Sequence, residues 1–155
     1  MIEAARAATA QDLLDVASLA RAAIAELETM RGGAVWRRFQ GRPEPVDASL
    51  ADALVDPHQE VVVGSIDGTT VGYGVVRVEG LADGGQLGVI EDLFVDPAAR
   101  GVGVGEAMME HVLAWCEGRE CIGVDALALP GHRDTKNFFE TFGLTARAII
   151  VHRSL

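Results

Sequence analysis

The stretch Val89-Ile90-Glu91-Asp92-Leu93-Phe94-Val95-Asp96-Pro97-Ala98-Ala99-Arg100-Gly101-Val102-Gly103-Val104-Gly105 passes from an apolar strand, through a short turn, into a glycine-dense helix entry. An arginine and three alternating glycines stand where that helix begins. Backbone N–H groups at such an entry point outward, and the helix dipole favours negative charge there. Glycines let a bulky anion come close to the backbone. The stretch therefore predicts a phosphate or pyrophosphate site. Glu91 and Asp92, in an otherwise apolar strand, predict chemistry beside it.

Working upstream, Glu60 to Asp67 and Thr70 to Glu79 read as two strands joined by the hairpin turn Asp67-Gly68, with Leu87 to Val95 as the next strand. Ile2 to Arg6 reads as a first strand. Thr9 and Asp12 cap a helix whose apolar positions Leu13, Val16, Ala17, Ala20, Ile24 and Leu27 recur at helical spacing up to Gly32-Gly33. From Gly33 to Pro57 the chain reads as irregular, with Asp47 capping a short helix through Leu54. Downstream, Gly103 to Glu117 is a helix with Met108, Met109, Val112, Leu113 and Cys116 on one face. Cys121 to Leu129 reads as a strand, His132 to Phe142 as a helix and Ala146 to His152 as a final strand. A hairpin meander followed by crossover helices predicts an α/β chain, a mixed sheet with helices on both faces. No repeat or linker divides residues 1–155, which read as a single domain.

Composition narrows the function. At 155 residues, 49% hydrophobic and 23% charged, the chain falls in the soluble globular class. No apolar run is long enough to cross a bilayer, and Met1 to Arg6 lacks the pattern of a secretory leader, so a cytoplasmic location without membrane contact is expected. A net charge of −10 argues against nucleic acid as a partner. Cys116 and Cys121 lack the spacing of a zinc site and read as reduced structural thiols, so no metal is expected. The glycine loop does not follow its strand at once, as a Rossmann fingerprint would, and no Lys-Ser/Thr follows it, as a P-loop requires.

Arg100-Gly101-Val102-Gly103-Val104-Gly105 fits the pattern Q/R-x-x-G-x-G/A, set between a strand and an amphipathic helix. With the element order, and with Asn137-Phe138-Phe139-Glu140-Thr141-Phe142-Gly143-Leu144 matching a second family stretch, the chain resembles the GNAT superfamily of acetyl-CoA-dependent N-acetyltransferases over nearly its whole length. The resemblance implies a twisted, mostly antiparallel sheet of six to seven strands and acetyl-CoA as donor. It implies that Gly101, Val102, Gly103, Val104, Gly105 and Glu106 hold the pyrophosphate. The backbone of Leu93, Phe94 and Val95 would then pair with the pantetheine arm, and Arg100 would orient the loop or meet a phosphate. His132, at a position where the family often has asparagine, is expected to donate a hydrogen bond to the cofactor. Lys136 is expected either to reach the ribose phosphate or to be solvated.

Phe139 stands where many relatives carry a tyrosine acid, leaving the general acid unassigned. Alkyl ammonium groups are mostly charged at neutral pH, so amine acetylation calls for a proton acceptor. The strand resembles that of diamine acetyltransferases, which implies Glu91 as base, directly or through water, and Asp92 as a holder of cationic substrate. Consecutive strand residues point to opposite faces, so only one of the two is expected to face the cleft. Trp36 and Arg37, in a locally basic segment with Arg31, Arg38 and Arg42, are expected either to line the acceptor side or to form a surface turn or partner contact. Those arginines disfavour a polyamine and leave room for an acceptor bearing a carboxylate. The expected activity is transfer to a primary amine of a small molecule. The alternatives are a protein N-terminus or lysine as acceptor, and a non-catalytic acyl-CoA-binding module. The last strand and the Trp36 region are the two surfaces on which a homodimer could form.

Overall fold

The computed structural model describes all residues, 1–155. One sheet holds five strands in sequential order: β1 (Glu3–Ala7), β2 (Gln59–Ile66), β3 (Thr69–Gly80), β4 (Gln86–Val95) and β5 (Val124–Ala126). The first four are antiparallel, and β5 runs parallel to β4. The β2–β3 turn forms as the sequence predicts, with positive φ at both Asp67 (49°) and Gly68 (83°), the geometry of a tight two-residue hairpin.

Alternation along the strands sends side chains to two cores. Val61, Val63, Tyr73, Val75 and Phe94 pack under α1 (Leu13–Glu28) and α3 (Val46–Val55). Val62, Val76 and Ile90 pack under α4 (Val104–Gly118) and Phe139 of α5 (Arg133–Thr141). Helices thus cover both faces, and α4 lies close against the sheet. A Cβ on Gly64 would come within 2.6 Å of Val104 Cγ1 and 2.9 Å of Met108 Sδ. Gly64→Val is therefore expected to destabilise the fold by about 1–3 kcal/mol, read as a lowered denaturation midpoint.

The entry to α1 is pinned by charge. Arg6 donates to both oxygens of the buried Asp12, at 2.8 and 3.0 Å, and the Thr9 amide donates to Asp12 Oδ2 at 2.8 Å. The Arg6 hydrogen bonds, with lesser help from the Thr9 amide, hold the Asp12 carboxyl down at about 2. A depressed folded pKa gives stability that is present above the unfolded value of about 4 and is lost as pH falls toward 2. Asp12→Asn should therefore lower Tm at neutral pH, and the gap to the parent should close through that acidic window. A gap that stays constant with pH would remove the Arg6–Asp12 pair as its source.

Several boundaries differ from the sequence reading. Helix α1 stops at Glu28, and Gly32, at φ 81°, instead caps α2 (Gly33–Phe39) within the stretch read as irregular. Pro45 takes the N-cap of α3, and Asp47 lies inside its first turn, paired with Arg21. The strand read over Cys121–Leu129 shortens to Val124–Ala126, because β4 and β5 diverge. The final strand does not form. Residues 145–155 are exposed and make no backbone hydrogen bond, so the sheet has five strands where six to seven were expected. No helix is long and apolar enough to cross a membrane.

Candidate active site

The divergence of β4 from β5 creates the site. Pairing between them ends at Ile90↔Ala126, so from Glu91 to Val95 strand β4 has β3 on one side and no strand on the other. A cleft of about 330 Å³ opens there. Leu93, Phe94, Val95, Arg100, Gly101, Gly105, Glu106 and His132 all line it, with Glu91, Asp92 and Trp36. At one end stands the α4 entry. Gly101 (φ 82°) and the N-cap Gly103 (φ 103°) adopt left-handed conformations that disfavour a side chain. No acceptor within the protein meets the N–H groups of residues 101–106; the first paired amide is Ala107, which bonds the Gly103 carbonyl. Six consecutive unpaired donors at a helix start suit a diphosphate, and the open side of β4 suits an extended amide chain.

Within that loop the side chains divide. Val104 is buried in the core and Val102 packs against it, so both offer a ligand only their backbone. Gly105 lies against Phe138, where a Cβ would come within 3.1 Å of the ring. Arg100 folds back rather than outward. Its Nε donates to the Val95 carbonyl at 2.8 Å, its Nη2 pairs with Glu26 at 3.1 Å, and its Cζ lies 5.2 Å from the Phe94 ring centroid. Of the two roles expected for Arg100, orienting the loop is the one that its contacts serve.

At the other end the two carboxylates share a face, contrary to the alternation rule. Val75 pairs with Asp92 and Val76 with Ile90, which leaves Glu91 as the extra residue of a β-bulge. Residue parity is reset there, and both carboxylates reach Arg42. Arg42 Nε and Nη2 donate to Asp92 at 2.9 and 2.6 Å, and Nη2 reaches Glu91 at 3.2 Å. The Tyr73 hydroxyl donates to Asp92 Oδ2 at 2.7 Å, and Arg77 Nε meets Glu91 at 2.7 Å. Burial works against the Arg42 charge, but the hydrogen bonds and charge of Asp92 more than offset it, so its pKa stands above the ordinary value. Burial first, and then the Asp92 charge, push the Tyr73 hydroxyl well above the usual phenol range. Asp92 is spoken for by three donors and its side chain is 10% exposed, whereas that of Glu91 is 31% exposed. The two carboxylates thus differ in availability.

Three sequence expectations are corrected. Arg37 does not line the cleft; its guanidinium donates to the Arg42 carbonyl at 3.3 Å and so steadies the loop that carries Arg42. Lys136 does not line the cleft and pairs with Glu140 one helical turn on, whereas His132 at the N-cap of α5 and Asp134, Thr135, Phe138 and Phe139 within it do line the cleft. Glu91 and Asp92 do not point to opposite faces. His132 shares a hydrogen bond with Thr135 Oγ1, at 2.8 Å from Nδ1. Cys116 is buried, with its thiol pushed up to about 12 by burial first and then by Cys121, so it is no nucleophile. A thiol reagent should therefore label Cys116 in the folded protein far more slowly than after denaturation.

Sequence reasoning missed the roles of Arg42, Tyr73, Arg77 and Glu26. Arg42 was visible only as one of a basic group, and nothing in its neighbourhood marks it for a strand about fifty positions away.

A family model described as the acetyltransferase (GNAT) family matches residues 21–144. Glucosamine 6-phosphate N-acetyltransferase 1 of Oryza sativa subsp. japonica is 33% identical over 86 residues, 56% of this chain and 51% of that protein. The chain thus spans about half the length of the curated relative it matches. Among solved structures, glucosamine-6-phosphate N-acetyltransferase from Arabidopsis thaliana superposes with a TM-score of 0.70 at 19% identity, covering 99% of each chain. AAC(6')-Iy, in complex with the bisubstrate analog CoA-S-monomethyl-acetylneamine, superposes with a TM-score of 0.72 at 18% identity over 100% of this chain and 99% of that one. At these identities the likeness speaks for the fold.

Proposed function

Because the chain belongs to the acetyltransferase (GNAT) family, we propose that it moves an acetyl group from acetyl-CoA to a primary amine of a small molecule. One observation carries the reading. A row of unpaired amides at residues 101–106 opens onto a cleft that follows the unpartnered side of β4 to a solvent-accessible carboxylate, Glu91.

Acetyl-CoA, when bound, supplies a thioester, whose carbon–sulfur bond breaks as the acceptor nitrogen bonds to the carbonyl carbon. The protein's own contributions are positional and electrostatic. The amides of residues 101–106 hold the diphosphate, and the open β4 backbone at Leu93, Phe94 and Val95 aligns the arm and offers an N–H to the carbonyl oxygen. Glu91 takes the ammonium proton, directly or through water, while Asp92 serves through Arg42. The small-molecule acceptor is supported by the curated relative, whose name specifies glucosamine 6-phosphate.

A second reading is a module that binds acyl-CoA without turnover. The pairing of Glu91 with two arginines and the apolar Phe139 favour it. Calorimetry with acetyl-CoA, followed by thiol release across a panel of amines, separates the readings. Uptake with turnover supports the enzyme, and uptake without turnover supports the module. No uptake overturns both.

The chain has one tyrosine, and its hydroxyl is committed to Asp92. If proton delivery to the departing thiolate limits the rate, Phe139→Tyr should raise kcat by up to about tenfold. An unchanged kcat would mean that proton delivery to the thiolate does not limit the rate.

A further inference from the structure

Glu91 and Arg42 line two cavities at once, the cleft and a second one of about 420 Å³ beside the α3 entry. An amine that meets Glu91 is therefore surrounded by both linings, and neither offers it a free cation. No lysine lines either cavity, and the arginines that do are Arg42 and Arg100. Of the basic segment read from the sequence, Arg31, Arg37 and Arg38 line neither. Arg42 has four of its five N–H groups committed, two to Asp92, one to Glu91 and one to Ser49. Arg100 is held by the Val95 carbonyl and Glu26. His132 shares its ring nitrogens with Thr135 at the start of α5, whose Phe139 packs on the sheet face opposite to Tyr73. The second cavity adds the carboxylates of Glu44 and Asp52. The unpaired amides of residues 101–106 do suit an anion, but they stand at the far end of the cleft.

What the Glu91 end offers instead is hydrocarbon. Asp92 bonds to Tyr73, which belongs with Phe94 to the core beneath α1. On that same face α1 presents Ala23, Ile24 and Leu27 to the cleft, and α2 presents Trp36. Trp36 is only partly buried; it packs on that core and still borders the cleft. We infer that the acceptor is a primary amine with an apolar body and no phosphate or carboxylate, its body lying on Trp36 and the α1 aliphatics. The inference rests on the acetyl-transfer reading of the same cleft and narrows its acceptor. A phosphate or carboxylate brought to the Glu91 end would lose its water, find no cation to replace it and lie among carboxylates of its own sign. The sequence left room for an acceptor bearing a carboxylate, on the strength of arginines that the fold either commits elsewhere or keeps out of the cleft. The same lining sets this chain apart from the curated relative, whose name specifies an amine that carries a phosphate.

Matched amines that differ only in the anion test it: 2-phenylethylamine against phenylalanine, and glucosamine against glucosamine 6-phosphate. Each is titrated calorimetrically into the full chain saturated with coenzyme A, and each is offered with acetyl-CoA while thiol release is followed. 2-Phenylethylamine should bind about 100-fold or more tightly than phenylalanine, and glucosamine about tenfold or more tightly than its 6-phosphate. Trp36→Ala should weaken 2-phenylethylamine by about tenfold, and Trp36→Phe should restore most of the loss, since it keeps an aromatic face. Uptake of coenzyme A by each variant reports that the cleft is still folded. Phenylalanine or glucosamine 6-phosphate binding as tightly as its partner overturns the inference, as does a failure of 2-phenylethylamine to bind. The expected order of binding with no thiol release from any amine would leave the inference standing and overturn acetyl transfer. Thiol release that is fastest with glucosamine 6-phosphate would keep acetyl transfer and overturn the inference.

Discussion

Arg42→Ala should cost about 3–5 kcal/mol of stability, because it strips a largely buried carboxylate of its main partner. Asp92 would retain only the Tyr73 hydroxyl, in a pocket where its side chain is 10% exposed. For a domain of this size the loss corresponds to a drop in Tm of roughly 10 °C or more. The same change removes the Nη1 bond to Ser49 of α3 at 2.7 Å, so the α3 side of the cleft loosens as well. Arg42→Ala combined with Asp92→Asn should recover part of the loss, since the unpaired charge is then gone. A thermal melt of the two singles and the double gives the coupling directly. Additive effects in that cycle would mean that the guanidinium and the carboxylate act separately.

Glu91→Gln should lower kcat for amine acetylation by about 100-fold or more while leaving calorimetric uptake of acetyl-CoA unchanged. The carboxylate lies at the end of the cleft away from the unpaired amides, so its loss should touch proton transfer and not donor binding. Its links to Arg77 through Oε1 and to Arg42 through Oε2 orient it, and glutamine keeps a carbonyl acceptor for one of the two. Steady-state kinetics with saturating donor is the measurement. A Glu91→Gln enzyme with parental kcat would leave Glu91 as an orienting group and hand the proton to solvent.

The sequence was most informative where local chemistry and tertiary position coincide. Gly101 and Gly103 adopt the positive φ that a glycine-dense entry suggests, and α4 begins at Val104, within a residue of where the spacing puts it. The hairpin at Asp67-Gly68 was equally legible, because turn chemistry is a property of adjacent residues. Arg42 was not. It acts across fifty positions of chain, and only the folded loop after α2 shows that it meets Asp92. Residues 146–152 carry strand character without forming a strand in this chain, since an extended segment needs an edge to pair with as well as the right side chains. Lys136 takes the solvated alternative, its ammonium 2.9 Å from Glu140 one turn along α5.

The supernumerary residue at position 91 sets a rule of parity for β4. On the Val95 side of it odd positions face α4 and even ones face α1; on the Gln86 side the assignment is reversed, which is how Ile90 joins Met108 while Asp92 joins Tyr73. Deleting Glu91 would remove the bulge and restore plain alternation, with Ile90 still facing α4 and Asp92 still facing Arg42, because their partners Val76 and Val75 are themselves consecutive. What the additional residue gives the strand is a second carboxylate on the face that Asp92 already occupies.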